Sequence, residues 1–247
     1  MTDAVDYRIR FAGRCGAADV RCVVVRSTRD VAGDGAIDDP WRREKQRLGD
    51  KLFDGPMCRY EGHDVTDGRL TLRVSRTSYK AFLITNLFGP RDLPSERRAN
   101  PIGVSATLAC GDGVLLFGRR GDGVAYYPRR LHPFAGSLEW PSDGGDVDVF
   151  AECRRELREE LSLQAEEVPE LAVVGIVEDV DLRHPEIVLH AATPLPWREV
   201  AGRLDPAEHN GVEPVPATVE AVAAAASDER FTPVARASMQ LWLRAQR

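Results

Sequence analysis

One run of the sequence places several carboxylates on one face of a predicted helix. Residues 155–163 read Arg-Glu-Leu-Arg-Glu-Glu-Leu-Ser-Leu, and the glutamates that share the face are Glu152, Glu156, Glu159 and Glu160. Carboxylates at this spacing repel one another, and their oxygens suit a hard cation such as Mg²⁺. The pattern therefore predicts a magnesium site. The alternative is a solvated helix face on which Arg155 forms an ordinary ion pair with Glu159.

An apolar segment upstream of this helix ends in a glycine and a carboxylate. It runs from Leu131 to Glu139 and contains Gly136. A glycine at the end of a strand lets the backbone approach a ligand closely. The segment is therefore a second candidate part of the same site.

Together the two segments resemble the box of the Nudix hydrolase superfamily, G-x5-E-x7-R-E-U-x-E-E-x-G-U, where U is a bulky aliphatic residue. The helical half agrees at six of its seven specified positions, namely Arg155, Glu156, Leu157, Glu159, Glu160 and Leu163. Gly136 would be the opening glycine, but it precedes Arg155 by 19 residues, five more than in the pattern. The Pro, Gly and Asp content of residues 140–146 predicts that the extra residues form a surface loop. Val147 stands where the pattern has its middle glutamate, and Ser162 replaces the glycine that follows the helix.

The resemblance implies a Mg²⁺-dependent hydrolase of pyrophosphate linkages, with Mn²⁺ as an expected substitute for Mg²⁺. It assigns metal ligation to three carboxylates and one carbonyl, those of Glu156, Glu159, Glu160 and Gly136. Glu156 is also the candidate general base, and Arg155 would orient it. Glu139 and Glu186 are the remaining candidates for a further carboxylate.

Residues 52–87 carry a second resemblance. Leu52-Phe53-Asp54-Gly55, Cys58-Arg59-Tyr60, Tyr79-Lys80-Ala81-Phe82 and Thr85-Asn86-Leu87 are similar to the N-terminal lobe of eukaryotic UDP-sugar pyrophosphatases of the same superfamily, which also carry an expanded box. This likeness implies cleavage of UDP-glucose or UDP-galactose to UMP and a sugar 1-phosphate. It makes Arg59, Tyr60 and Lys80 candidate substrate contacts. The alternative for the aromatic residues is packing in the core.

Two other functions stay open from the sequence. One is a nucleotide-sugar or ADP-ribose binding module that has lost catalysis, which the expanded box, Val147 and Ser162 suggest. The retained set of Glu156, Glu159 and Glu160 argues against it, because a pure binder has no need of three mutually repelling carboxylates. The other is a protein-interaction domain, for which the sequence offers no apolar patch.

The periodicity of the chain predicts an α+β fold in which helices sandwich a sheet. The resemblance implies that this fold is a Nudix α/β/α sandwich preceded by a smaller N-terminal α+β lobe. We expect the lobe at residues 1–95 and the hydrolase domain at 100–247, with a polar linker between them. The predicted strands are residues 7–14, 20–27, 56–61, 69–76, 103–109, 114–119, 129–138, 171–177 and 186–191. The predicted helices are residues 39–53, 78–87, the box helix and 236–245.

Composition narrows the class of protein. The chain has 247 residues and a net charge of −6, which disfavours a nucleic-acid surface, since such a surface needs clustered Lys and Arg. It contains five cysteines without a C-x-x-C motif, and no apolar run of membrane-spanning length, so we expect a cytoplasmic protein. Its five histidines lack zinc spacing and are predicted to be structural or exposed. The expected partner is a small nucleoside diphosphate derivative, and the oligomeric state is left open.

Overall fold

The computed structural model describes residues 6–27, 31, 35–48, 53–142 and 145–246. Some residues named in the sequence analysis lie outside the described residues. They are the predicted helical residues 49–52, which include Leu52 of the second resemblance, the loop residues 143–144 and the sequence start at 1–4. The described N-terminal part has four strands and two helices, in the order β1 (Tyr7–Cys15), β2 (Val20–Val24), α1 (Asp38–Leu48), β3 (Pro56–Thr66), β4 (Arg69–Ser78) and α2 (Tyr79–Phe82), and a π-helical turn at Leu83–Leu87 follows α2.

β3 and β4, which contain the predicted strands at residues 56–61 and 69–76, form a hairpin. Asp67 and Gly68 connect the strands, and both have a positive φ, 50° and 76°. A tight turn of this kind favours Asn or Asp followed by glycine because two consecutive residues must adopt a left-handed conformation. β2 pairs in parallel with β4, which completes a three-stranded sheet.

The rest of the described chain contains the larger sheet and its helices. Its elements are β5 (Gly103–Cys110), β6 (Val114–Arg120), β7 (Leu131–His132), β8 (Phe134–Ser137), α3 (Val149–Leu161), β9 (Glu170–Asp179), β10 (His184–Ala192), α4 (Trp197–Ala201), β11 (His209–Pro216), α5 (Val219–Ala225) and α6 (Pro233–Ala245). The sequence did not predict α4, β11 or α5.

The larger sheet has the strand order β1-β9-β10-β5-β6-β11, with β7 beside β6 and β8 beside β5. Neighbouring residues of β10 point to opposite faces, as expected for a strand. Ile187 joins the core under α3, together with Leu157 of that helix, whereas Val188 joins the core under α6, together with Leu241. Helices therefore cover both faces of a mixed sheet, and the chain has the α+β class that its sequence predicts.

The predicted strand over residues 129–138 is wrong as a single element. Pro133 separates β7, which pairs with β6, from β8, which pairs with β5. Proline has no backbone N–H to donate, so the ladder is interrupted there. As a result, His132 and Gly136 lie in two short strands with different neighbours.

The division into domains near residues 95–100 stays a prediction. β1 pairs with β9 in the larger sheet. The Cys58 N–H in β3 donates to the Leu138 carbonyl at 2.8 Å, and the Cys58 carbonyl accepts from the Ile102 N–H at 2.9 Å. Within the described part of the chain, no helix has the length and apolar character needed to span a membrane.

Candidate functional site

Helix α3 carries the predicted glutamates, and its ends follow from its sequence. Asp148 caps the first turn, since its side chain accepts hydrogen bonds from the Phe150 N–H at 2.8 Å and the Ala151 N–H at 3.1 Å. The helix ends at Ser162, which has φ 54° and ψ 26°. The apolar stripe of α3 is buried, and its members are Phe150, Cys153, Leu157 and Leu161. Burying this stripe turns the glutamates toward β8 and its surroundings.

Arg155 lies at the centre of the acidic face. Its guanidinium contacts the Glu156 carboxylate at 2.6 Å and the Glu159 carboxylate at 2.6 Å, and it also bonds to Glu152. Glu139, whose side chain is 67% exposed, lies 3.7 Å from the same guanidinium. The arginine thus offsets the repulsion between carboxylates that the helix would otherwise place together.

Glu156 is buried against the backbone of β8. A Cβ atom at Gly136 would overlap the Glu156 carboxylate and would lie 2.7 Å from its Oε2 atom. Burial raises the pKa of Glu156 to about 8, against the opposing charge of Arg155 and with a further contribution from Glu160. Position 136 therefore has to be a glycine for this carboxylate to occupy its place.

Glu160 points into a different group of side chains. It is 2% exposed, and its Oε2 atom lies 3.4 Å from Nε2 of His209. Ligand atoms of Glu160, Glu208 and His209 all lie within 4.8 Å of one another. Burial raises the pKa of Glu160 well above its ordinary value, and the nearby Glu208 raises it further.

A pocket of about 160 Å³ opens beside Glu160 and Gly136. Its polar lining also comes from β6, β7, β10 and β11, and consists of Arg120, His132, His184, Glu186, Glu208 and His209. The Glu186 carboxylate lies between two buried histidines, 3.5 Å from Nε2 of His132 and 3.7 Å from Nδ1 of His184. Burial lowers the pKa of both histidines.

Arg120 and Tyr126 form one wall of this pocket. The guanidinium of Arg120 stacks 4.7 Å from the centre of the Tyr126 ring, and its Nε donates to the Tyr126 carbonyl at 3.2 Å. No ion pair joins Arg120 to a carboxylate among the residues that the structure describes. Its terminal nitrogens can therefore bind an anion.

The N-terminal part of the chain reaches the same wall through Phe82 of α2. The Phe82 ring lies 5.3 Å from that of His184 and 5.9 Å from that of Tyr126. Asn86 fixes the following turn by donating to the Leu182 carbonyl at 2.9 Å. These contacts hold the start of β10, and with it His184, in place.

The three candidate contacts in the N-terminal part have other neighbours. Arg59 is 1% exposed, and its guanidinium donates to the Arg98 carbonyl and, at 3.3 Å, to the Ser95 carbonyl. The Tyr60 hydroxyl lies 2.5 Å from Nδ1 of His63. Lys80 forms an ion pair with Asp38 at the surface. Their role as substrate contacts stays a prediction.

The structure brings Gly136, Glu160 and Glu186 to one pocket and Glu156 against Gly136, whereas Glu139 and Glu159 are exposed beside Arg155. Sequence reasoning missed six pocket residues, Arg120, Tyr126, His132, His184, Glu208 and His209. Each histidine comes from a different strand, so their spacing in the sequence carries no signal of a shared site.

Comparisons with known proteins give distant likenesses of fold. No family model matches the sequence, and no curated protein matches it. Among solved structures, the chain is similar to the MutT protein of Methanosarcina mazei, with 17% identity, a TM-score of 0.41, and coverage of 60% of this chain and 95% of that one. It is similar to the dihydroneopterin triphosphate pyrophosphohydrolase of E. coli, with 17% identity, a TM-score of 0.39, and coverage of 59% and 96%. A Deinococcus radiodurans protein gives 21% identity, a TM-score of 0.41, and coverage of 57% and 82%. All three TM-scores lie below 0.5, so these likenesses carry no argument about function.

Proposed function

We propose that this protein is a Mg²⁺-dependent hydrolase that cleaves the pyrophosphate bond of a nucleoside diphosphate derivative. The observation that carries the proposal is the pair of buried carboxylates on α3, Glu156 against Gly136 and Glu160 in the pocket. Burial disfavours the ionised form of both side chains, and a bound cation would restore it. Arg120 lines the same pocket without an ion-pair partner among the described residues, and it suits an anionic substrate.

The side chains fit a divalent cation. Oε2 of Glu160 is buried without a hydrogen-bond partner, and carboxylate and carbonyl oxygens are the ligands that Mg²⁺ prefers. The proposed ligands are Glu156, Glu159, Glu160 and the Gly136 carbonyl, and Mn²⁺ is the expected substitute. When bound, the cation neutralises the charge of the pyrophosphate oxygens and stabilises the charge of the transition state.

Glu156 is the proposed general base, which takes a proton from the attacking water. Burial opposes ionisation of Glu156, whereas Arg155 and the proposed cation would favour the ionised carboxylate, which is the form that accepts a proton. Arg155 orients the carboxylate through its contact at 2.6 Å. Arg120 would bind a phosphate group, because stacking on Tyr126 and the bond to the Tyr126 carbonyl hold its guanidinium in place.

For the substrate we propose a UDP-sugar, cleaved to UMP and a sugar 1-phosphate. The support is the sequence likeness over residues 52–87 and the contact of Phe82 with His184 and Tyr126 at the pocket wall. The Tyr126 ring lines the pocket and suits a base or a sugar ring, whereas Phe82 is 2% exposed and would act by positioning Tyr126 and His184. Buried polar groups left unpaired by the wrong base cost roughly 1 to 3 kcal/mol each. The Phe82→Leu variant should therefore change the preference for the base more than the turnover number.

A panel of nucleoside diphosphate derivatives, assayed with Mg²⁺ and resolved by chromatography, tests the proposal. We expect the wild-type protein to convert UDP-glucose or UDP-galactose to UMP and a sugar 1-phosphate. The Glu156→Gln variant, purified identically, should form almost no product. Faster cleavage of ADP-ribose or NADH would overturn the UDP-sugar substrate and leave the hydrolase class. Tight binding of a nucleotide sugar without cleavage of any substrate would instead favour the binding module.

A further inference from the structure

We propose that Glu160, Glu208 and His209 form a divalent-cation site with a nitrogen ligand, which prefers a transition-metal ion such as Zn²⁺ or Co²⁺ to Mg²⁺. The inference goes beyond the proposed function, because it assigns to the pocket a second cation site that shares Glu160 with the proposed Mg²⁺ ligands and prefers a different class of ion. It adds a histidine and a glutamate from outside the box helix to the carboxylates of that helix.

The packing of His209 aims its ring at Glu160. One side of the ring lies against Gly118, where a Cβ atom would come within 2.6 Å of ring atoms Cε1 and Nδ1. Phe134 meets the ring edge-on, with ring centres 5.6 Å apart. Between these neighbours the ring has one orientation, with Nε2 3.4 Å from Oε2 of Glu160.

Among the described residues, neither of the facing atoms has a hydrogen-bond partner. Nε2 of His209 and Oε2 of Glu160 are both buried. The two residues are 6% and 2% exposed. A buried polar atom without a partner costs about 1 to 3 kcal/mol, and Nδ1 of His132 in the same pocket avoids this cost by bonding to Thr232 at 2.6 Å. Coordination of a cation between the two residues would satisfy both atoms.

The backbone around the site is fixed. His209 pairs with Arg120 in the ladder of β11 and β6. The Glu208 carbonyl accepts from the Gly121 N–H at 2.8 Å, and the Glu160 carbonyl accepts from the Asp205 N–H at 2.8 Å. Helix α3 and strand β11 therefore hold the Glu160 carboxylate and the His209 imidazole at a fixed separation, as a selective metal site requires.

The ligand set determines which cation fits best. Imidazole nitrogen suits Zn²⁺ and related transition metals, whereas Mg²⁺ favours oxygen ligands and keeps much of its water. Glu208 is exposed, in contrast to its two partners, so one side of the site is open to solvent. An open side leaves room for a water molecule or a phosphate oxygen in the coordination sphere.

Calorimetric titration of the metal-free full-length chain, without substrate, tests the site. We expect Zn²⁺ to bind at one site at least about 100-fold more tightly than Mg²⁺. His209→Asn should weaken Zn²⁺ binding by about 10- to 100-fold and change Mg²⁺ binding less than about threefold. His190→Asn is the matched control, because His190 lies on β10 in a separate pocket with Trp242. Equal affinity for the two ions, or an unchanged Zn²⁺ affinity in His209→Asn, would overturn the proposal.

Glu208→Gln is the second variant. Because Glu208 is exposed, this substitution should leave the fold intact. It should lower the affinity for Zn²⁺ by at least about tenfold. With Co²⁺ as the probe, the visible absorption of the wild-type complex should change in His209→Asn and stay unchanged in His190→Asn. Retention of the full Zn²⁺ affinity in Glu208→Gln, or an identical Co²⁺ spectrum in His209→Asn, would contradict the site. The metal titrations contain no substrate, so they test the cation site independently of hydrolysis. If no substrate in the panel were cleaved, the titration results would still hold. If the titrations contradicted the cation site, the proposal of Mg²⁺-dependent hydrolysis would still hold.

Discussion

Gly136 of β8 lies directly against the carboxylate of Glu156 on α3. A methyl group at position 136 would overlap that carboxylate, which also accepts a hydrogen bond from Arg155 at 2.6 Å. The backbone of one element and the side chain of another therefore fix the position of Glu156. Several consequences can be measured.

Replacing Gly136 by alanine should displace Glu156. We expect a loss of turnover of about 10²-fold or more, because a base moved by about 1 Å loses its alignment. The free energy of unfolding should fall by about 1 to 3 kcal/mol from overpacking. Steady-state kinetics and denaturant unfolding measure the two effects. Gly35→Ala is the control, since nothing lies within 4 Å of a Cβ atom there. Full activity in Gly136→Ala would show that the contact is unimportant.

Glu156→Gln keeps the shape of the side chain and removes its basicity. The turnover number should fall by about 10² to 10⁴-fold, with a much smaller change in KM. Glu199→Gln is the matched control, because Glu199 is a helical glutamate paired with an arginine four residues later, Arg203. Near wild-type turnover in Glu156→Gln would make Glu156 structural and would move the search for the base to Glu139 or Glu186.

Arg120→Gln should weaken substrate binding more than it slows the chemical step. Its guanidinium lines the pocket without a carboxylate partner in the described structure, so its loss removes positive charge that a phosphate would meet. We expect KM to rise by about tenfold or more, as for the loss of a charge-assisted hydrogen bond. Arg119→Gln is the neighbouring control, since Arg119 pairs with Glu213 instead. Equal effects of the two variants would rule out a specific role for Arg120.

Ser162→Gly should stabilise the protein. Ser162 follows α3 with φ 54°, a conformation that costs a residue with a side chain about 1 kcal/mol and costs glycine little. Its side chain is exposed, so little packing is lost. Denaturant unfolding should show a gain of about 1 kcal/mol. Ser227→Gly, at a position without a positive φ, should give no gain.

Asp179 should make stability fall as pH rises from about 4 to about 6. Burial raises its pKa from 3.8 to about 6, although the Leu182 N–H and the Tyr127 hydroxyl donate to it and lower the pKa. Between these two pKa values the folded state binds a proton that the unfolded state has lost, so the free energy of unfolding decreases with pH, by about 3 kcal/mol in all. Above pH 6 this contribution is constant.

Asp179→Asn should remove this part of the pH dependence. Between pH 4 and pH 7 the unfolding free energy of the variant should rise by about 3 kcal/mol relative to that of the wild type. Asp181→Asn, at an exposed aspartate two residues later, is the control. Parallel stability curves for wild type and Asp179→Asn would contradict the raised pKa.

The sequence by itself determined the local structure around α3. Its apolar stripe, its cap at Asp148 and its end at Ser162 follow from residues within one helix length, and the Asp67-Gly68 turn follows from two residues. The sequence also predicted the α+β class. Such features depend on the periodicity and conformational preferences of neighbouring residues, which a single sequence records.

Only the tertiary structure decided the composition of the pocket. His132, His184 and His209 lie in β7, β10 and β11, and none has a sequence spacing that suggests a metal site. They meet because strand pairing places residues far apart in the chain beside one another, as when His209 aligns with Arg120. Pro133 had a similar effect, since it divided one predicted strand between two neighbours. Strand order and register depend on packing across the whole sheet, and local sequence patterns do not contain that information.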